Sequence, residues 1–193
     1  NYFTLSANQN NPYAQYYLGI IYSQGKYITQ DISKAIYYFT LAAKQNSPQA
    51  QYCLGYIYFN FLKTKNSINQ GIFFILESAE RGNIGACFFI GFLYHEGKYI
   101  RKDIKKSIYY YREASSFKDQ YAKNNLGIIY KHGIDNEIGK NTTNAEIYFS
   151  ESIEQKNDRV SMYNLAHLYI YENQTNESID KSINLLIDST DLE

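Results

Sequence analysis

The stretch AQYYLGIIYSQGKYITQDISKA, residues 14–35, decides the fold because its pattern recurs along the chain. Its opening segment, an alanine followed by an aliphatic-glycine pair and a tyrosine, begins at Ala14, Ala50, Ala86 and Ala122, in steps of 36 residues. A fifth copy begins at Ser161 after a longer step of 39 residues. A fixed period of this length indicates a repeat protein, in which each repeat is one supersecondary unit.

A second segment follows the first in each copy and has a small residue as its anchor. Four residues before each anchor lies a residue suited to cap a helix, because its side-chain oxygen can accept hydrogen bonds from the free N–H groups of the first turn. Apolar and small residues then recur at offsets of three, four and seven, which indicates amphipathic helix. Each copy is therefore predicted to be a helix A (residues 13–24 in the first), a loop and a helix B (residues 32–45). The anchors are Ala35, Gly71, Ser107, Ala145 and Ser182, and the expected caps are Asp31, Ser67, Asp103, Asn141 and Ser178.

Packing between these helices follows from the small residues. Gly19 and Ala35 are expected to let helices A and B approach closely, with Tyr22 and Tyr38 filling the space between repeats. A short helix pair cannot bury its apolar face alone, so stacking on the next pair is needed. The fold class predicted is all-α, a right-handed α-solenoid of antiparallel helix pairs. Its expected buried positions are Leu18, Leu54, Leu126, Leu165, Tyr22, Tyr58, Tyr94 and Tyr130.

The repeat pattern A-x-x-x-L-G-x-x-Y-x-x-G-x-x-(V/I)-x-x-D-x-x-K-A resembles the Sel1-like repeat, a relative of the tetratricopeptide repeat. The first copy shows it in full, from Ala14 and Gly19 through Gly25 to Ala35. Two copies depart from it, because Phe61 and Glu172 stand where the loop glycine is expected. The resemblance implies a tetratricopeptide-like solenoid that acts as a scaffold or adaptor for other proteins.

The repeat register also predicts the organisation of the chain. Tyr2 and Phe3 align with Tyr38 and Phe39, so the chain is expected to begin inside a helix B and to be a segment of a longer protein. An apolar face near Tyr2, Phe3 and Tyr13 is then expected to be exposed and to permit self-association. The array is expected to span residues 1–193, with the end of a preceding repeat at 1–12 and five repeats at 13–48, 49–84, 85–120, 121–159 (with a three-residue insertion) and 160–193.

Composition and missing motifs exclude several functions. The net charge is zero, which argues against nucleic-acid binding and against a polybasic membrane contact. The longest apolar run, Ala86–Tyr94, is far shorter than the about 20 residues of a membrane span. Cys53 and Cys87 are too few for a disulfide scaffold or a structural zinc site. No phosphate-binding loop or zinc-protease motif occurs, so we expect no catalysis within this segment, no cofactor and no bound metal.

The sequence leaves other functions and the compartment open. One alternative is the regulatory repeat region of a larger enzyme, such as a protein kinase. Another is an adaptor subunit of an endoplasmic-reticulum ubiquitin ligase, in which case the acceptor triplets at Asn141, Asn173 and Asn176 would matter. The cytoplasm is preferred here over the lumen of the endoplasmic reticulum.

By analogy with tetratricopeptide repeats, the helices A line a concave face that binds a protein or peptide segment. Aromatic side chains broken by a few polar ones are typical of such a groove. We expect Tyr56 and Phe92, on adjacent A helices, to lie at its centre, with Lys131 and His132 available to an acidic group. The row that begins at Tyr16 has an alternative role, because these aromatic residues can instead be buried between helices. The candidate residues are Tyr16, Tyr52, Tyr56, Phe59, Phe88, Phe92, His95, Ile128, Lys131, His132, Tyr163 and His167.

Overall fold

A computed structural model of the chain describes residues 2–26, 28–134, 138–156 and 158–190. These residues form eleven α-helices, and the described part of the chain has one isolated β-bridge, between Ile134 and Ile138, in place of any strand. No described helix combines the length and the apolar character needed to cross a membrane. The helices are α1 (Tyr2–Asn8), α2 (Pro12–Gln24), α3 (Ile32–Lys44), α4 (Pro48–Ile57), α5 (Lys65–Glu80), α6 (Ile84–Glu96), α7 (Ile104–Ser116), α8 (Gln120–His132), α9 (Thr142–Lys156), α10 (Arg159–Leu168) and α11 (Asn176–Thr190).

The chain divides into two compact units, Asn1–Ile90 and Gly91–Glu193. In the first unit, α1 packs on α2, α2 on α3, α3 on α4 and α4 on α5. In the second unit the same succession runs from α7 to α11. The even-numbered helices from α2 to α10 are the A helices, and α3, α5, α7, α9 and α11 are the B helices of the five repeats.

Each A helix begins at a polar side chain three residues before the first alanine or serine of its repeat. Asn11 and Asp119, for example, accept hydrogen bonds from the backbone N–H groups of Ala14 and Ala122 at 3.1 and 2.8 Å. These caps satisfy donors of the first helical turn that have no partner within the helix. The sequence analysis did not use this position, although it is polar in all five repeats: Asn11, Ser47, Asn83, Asp119 and Asp158.

The B helices confirm the expected caps in three repeats and contradict them in two. Asp31, Asp103 and Asn141 each cap their helix. Ser67 and Ser178 do not, because each lies at the third helical position and the helix begins earlier. The caps there are Thr64 and Thr175, whose hydroxyl oxygens accept from the Ser67 and Ser178 N–H groups, both at 3.1 Å. In each case the serine hydroxyl accepts the threonine N–H in return at 2.9 Å, which forms a reciprocal capping box.

The same two repeats have longer A helices. In repeats 1, 3 and 4 the A helix ends at a glycine with positive φ, as at Gly25 (φ 66°). Where Phe61 and Glu172 replace this glycine, the helix continues through a π-helical turn, Tyr58–Leu62 or Tyr169–Asn173. The left-handed residue then comes two positions later, at Lys63 (φ 51°) and Gln174 (φ 46°). Glycine adopts positive φ without the steric cost that other residues have, and Lys63 and Gln174 adopt it without that advantage.

The structure confirms that the four expected leucines are buried and shows that three of the four expected tyrosines are not. Leu18, Leu54, Leu126 and Leu165 are all buried. Among the tyrosines Tyr130 is buried, but the expectation was wrong for the other three, which are half-buried: Tyr22, Tyr58 and Tyr94.

The reason lies in how these tyrosines pack. The ring of Tyr22 stacks on Tyr38 of the same repeat, with centroids 5.7 Å apart and an interplanar angle of 6°. The Nζ of Lys34 lies 5.2 Å from the ring centroid of Tyr22. The pair therefore links helices A and B of one repeat, and both rings also pack against the buried cluster of Ala7, Ala14 and Leu18, so they contact the preceding repeat as expected.

Candidate functional site

The A helices of the first unit expose aromatic side chains and have no charged residues of their own. Residues 12–25 and 48–62 contain no Asp, Glu, Lys, Arg or His. Tyr56 on α4 is 43% exposed, and its ring centroid lies 6.2 Å from that of Tyr52 and 6.3 Å from that of Phe89. Phe59, in the π-helical turn, is half-buried edge-on to Phe89 at 5.2 Å. These four rings form one aromatic cluster, which we call the unit-1 cluster.

In the row that begins at Tyr16, the aromatic residues of the first three repeats are half-buried. Tyr16 is half-buried, with its ring centroid 6.0 Å from that of Phe39 in the core, and burial raises the pKa of its hydroxyl. Tyr52 and Phe88 are also half-buried. These aromatic residues therefore contribute to packing between helices as well as to the surface, which was the alternative considered for them.

In the second unit, the A helices carry exposed aromatic residues beside polar ones. Phe92 on α6 is 42% exposed, at the position in its repeat that Tyr56 has in repeat 2. His95 is half-buried and lies edge-on to Tyr111, with centroids 6.3 Å apart. Burial lowers the pKa of His95, because the low-polarity surroundings disfavour the charged imidazolium. Ile128 on α8 is half-buried.

Lys131 does not have the exposed position that the sequence analysis expected. It is only 5% exposed, so it cannot meet an acidic group of a ligand as an open surface lysine would. Burial lowers its pKa, and the negative charge of Glu172 partly opposes this effect. The neighbouring His132 is exposed, and its pKa is lowered by partial burial and by the positive charge of Lys131.

The fifth repeat places its candidates in a small aromatic group. Tyr163 is 58% exposed, and its ring centroid lies 6.4 Å from that of His167. His167 is half-buried against Tyr171 at 4.3 Å, and its Nδ1 atom has no hydrogen-bond partner among the described residues. Tyr171 is 61% exposed and was missed by the sequence analysis, since it lies in the π-helical turn that the repeat pattern does not foresee.

A polar contact replaces the aromatic residue of the Tyr16 row in repeat 4. Asn124 is buried, and its side-chain oxygen accepts hydrogen bonds from the Ser161 hydroxyl at 3.1 Å and the Asn164 amide at 2.9 Å. These bonds join α8 to α10. Asn124 therefore holds two A helices in register.

The described residues were also compared with the requirements of a metal site and of a reactive thiol. No group of three or more His, Cys, Asp or Glu residues there could hold a metal ion. Cys53 and Cys87 are not joined in a disulfide, and burial raises the pKa of Cys53 to about 11, which keeps it protonated at neutral pH. The described helices and the exposed aromatic rings on successive A helices define a helical-repeat protein.

Comparison with known families identifies the repeat. The sequence matches the Sel1 repeat over residues 12–47, 48–83, 84–116, 120–157 and 159–186, and the chain belongs to this family. Sel1 repeat proteins are generally protein-interaction scaffolds and are typically not enzymes. No curated relative matches the sequence significantly.

Solved structures show the same fold. A Sel1 repeat protein from Oxalobacter formigenes is 24% identical with a TM-score of 0.82, over 99% of this chain and 77% of that one. The protective antigen c5321 of uropathogenic Escherichia coli is 24% identical with a TM-score of 0.86, over 97% of this chain and 40% of that one. The immunity protein Pa5087 from Pseudomonas aeruginosa is 22% identical with a TM-score of 0.56, over 97% of this chain and 72% of that one. The predicted fold class, a right-handed α-solenoid of antiparallel helix pairs, is confirmed.

Proposed function

We propose that this chain is a scaffold or adaptor that binds a segment of a partner protein on the face formed by its A helices. The observation that carries the proposal is the exposure of Tyr56 (43%) and Phe92 (42%) at the same position of two successive repeats. Repeat proteins use the extended surfaces that their stacked repeats create to bind partners, and these exposed positions lie on such a surface.

The chemistry of this face suits a largely apolar segment. Aromatic side chains supply large contact areas at a low cost in conformational entropy, and they concentrate binding energy when a partner covers them. The unit-1 cluster has polar groups only as tyrosine hydroxyls and backbone atoms. We therefore expect the partner segment to place apolar side chains on Tyr56 and Phe92 and to make few ion pairs there.

The test uses alanine variants of both residues and the native partner, captured with the intact protein and identified. Tyr56→Ala and Phe92→Ala are each expected to weaken binding about 30-fold, which corresponds to a loss of ~2 kcal/mol at a central aromatic contact. Isothermal titration calorimetry measures the affinity, and circular dichroism checks that the variants remain folded.

The matched controls lie on the B helices. Tyr37 is 58% exposed in the first unit, and Tyr109 is 57% exposed in the second. Tyr37→Ala and Tyr109→Ala are expected to leave the affinity unchanged, because these rings lie outside the A-helix face. If the control variants weaken binding and the A-helix variants do not, the partner binds the B-helix surface and the proposal is wrong.

A further inference from the structure

A small cavity of about 250 Å³ opens between α2 and α4 in the first unit, beside the unit-1 cluster. Apolar side chains form most of its wall, and Phe39 from the core helix α3 closes its base. Two of the lining residues, Ile57 and Phe39, are buried, so the inner wall is part of the packed core. The residues that matter for its chemistry are Ile20, Ser23, Cys53, Tyr56, Ile57 and Phe61.

Phe61 gives the cavity its outer wall, and it is there because repeat 2 departs from the repeat pattern. The corresponding residue of repeat 1 is Gly25, which has no side chain to form such a wall. In repeat 2 the π-helical turn Tyr58–Leu62 carries the chain past this point and places the Phe61 ring at the cavity, 54% exposed. π-Helical turns inserted in α-helices occur frequently at functional sites.

The cavity offers no charge to a ligand. Neither A helix that contributes to it has a charged residue. The Ser23 hydroxyl donates a hydrogen bond to the Ile20 carbonyl at 2.9 Å, so its proton is already used. The Cys53 thiol stays neutral because burial raises its pKa to about 11. A charged group placed here would lose its hydration without gaining a counter-charge, which is strongly unfavourable.

The volume sets the size of the occupant. An apolar cavity of about 150 Å³ is enough to bind benzene. Pockets for drug-sized ligands begin at about 300 Å³. The volume of the cavity beside Phe61 lies between these two values, which suits one large side chain.

We propose that this cavity, the Phe61 pocket, receives one uncharged aromatic or large aliphatic side chain of a partner peptide. The proposal rests on the proposed function, since the same peptide would continue over Tyr56 on the A-helix face. It adds two points to that function. The partner carries an uncharged anchor residue, and repeat 2 is the repeat that binds this residue.

The first experiment measures, by NMR, binding of two small probes that share a p-methylphenyl group and differ in charge. p-Cresol is uncharged and imitates a tyrosine side chain, whereas 4-methylbenzoate has the same ring with a negative charge. We expect p-cresol to shift the amide signals of residues near 20, 53 and 61 and to bind at least tenfold more tightly than 4-methylbenzoate. Equal binding of both probes, or no binding of p-cresol, overturns the proposal.

A pair of variants locates the binding. Phe61→Ala removes the outer wall and is expected to weaken p-cresol binding at least threefold. Phe73→Ala, at a B-helix phenylalanine with 58% exposure, is the matched control and is expected to bind as the wild type does. Both side chains are exposed, so both variants should fold. A Phe61→Ala variant that binds p-cresol like the control contradicts the assignment of the pocket.

Selection of random displayed peptides on the wild-type protein separates this proposal from the broader one. We expect selected peptides to share an uncharged aromatic or large aliphatic residue and to lose at least tenfold in affinity on Phe61→Ala. Peptides whose affinity depends on Tyr56 and Phe92 but not on Phe61 support binding on the A-helix face and overturn the proposal for the Phe61 pocket. Peptides whose affinity depends on Phe61 but on neither Tyr56 nor Phe92 support the proposal for the Phe61 pocket and contradict the proposed binding on the A-helix face.

Discussion

The ring of Tyr111 lies against the backbone of Gly91, so closely that a Cβ atom on Gly91 would come within 2.8 Å of the Tyr111 Cδ1 atom. Tyr111 is fully buried and its hydroxyl accepts a hydrogen bond from the Asn125 amide at 3.1 Å, so the ring has little room to move. Because the glycine in helix A has no side chain, it leaves the space that an aromatic ring of helix B occupies. Gly19 and Gly127 have the same relationship to Phe39 and Phe149.

The first prediction concerns this contact. Replacing Gly91 with leucine should overpack the interface of α6 and α7 and lower the free energy of unfolding by ~1–3 kcal/mol. Urea denaturation followed by circular dichroism measures the change. Gly139→Leu is the control, because nothing lies within 4 Å of a Cβ at that loop position. Equal stability of Gly91→Leu and the wild type would show that the close approach is wrong.

The second prediction concerns the start of α5. Thr64→Ala should lower the free energy of unfolding by ~1 kcal/mol, because it removes an acceptor for the Ser67 N–H group. Asn66→Ala, an exposed change in the same helical turn, should be close to neutral. The measurement is the midpoint of urea denaturation, compared between proteins whose unfolding free energy depends on the urea concentration with the same slope. If Thr64→Ala is neutral, the helix begins at Ser67 as the repeat pattern alone predicts.

The third prediction concerns association through the surface around α1. Tyr2 is 90% exposed, Phe3 48% and Tyr13 76%, and they border a cavity of about 320 Å³. Exposed apolar patches of this kind favour association. We expect sedimentation velocity to show concentration-dependent self-association that Tyr2→Lys with Tyr13→Lys reduces. Tyr121→Lys, at a tyrosine 60% exposed on α8, is the control. A wild-type monomer at every concentration, with strong hydrogen-exchange protection of residues 1–12, would contradict this expectation.

The fourth prediction concerns the loss of stability at acidic pH. Burial lowers the pKa of His95 in the folded state below its value in the unfolded chain. As the pH falls, the unfolded chain therefore takes up this proton first, and the stability present above about pH 6.5 declines. We expect the urea midpoint to fall between about pH 7.5 and about pH 5.5, and His95→Gln to reduce the fall. Parallel curves for the variant and the wild type would show that His95 does not contribute.

The repeat architecture could be predicted from the sequence because its signals are local and recur. The alanine and leucine positions of each repeat, such as Ala50 and Leu54, face the core of every copy, since helical periodicity sets the face on which a residue lies. Asp31 and Asp103 cap their helices because a cap bonds only to its own first turn.

The details that distinguish one repeat from another depended on the tertiary structure. The sequence around Phe61 does not predict that the missing glycine is accompanied by a π-helical turn. The path of the chain there depends on the helix against which the next segment packs. The burial of Lys131 and the stacking of Tyr22 on Tyr38 follow from distances between side chains far apart in sequence. The sequence by itself determined the helices, their order and the face each buries, since periodicity and capping act within a few residues. Only the tertiary structure decided which aromatic rings remain exposed and where the Phe61 pocket opens, since exposure depends on what neighbouring helices cover.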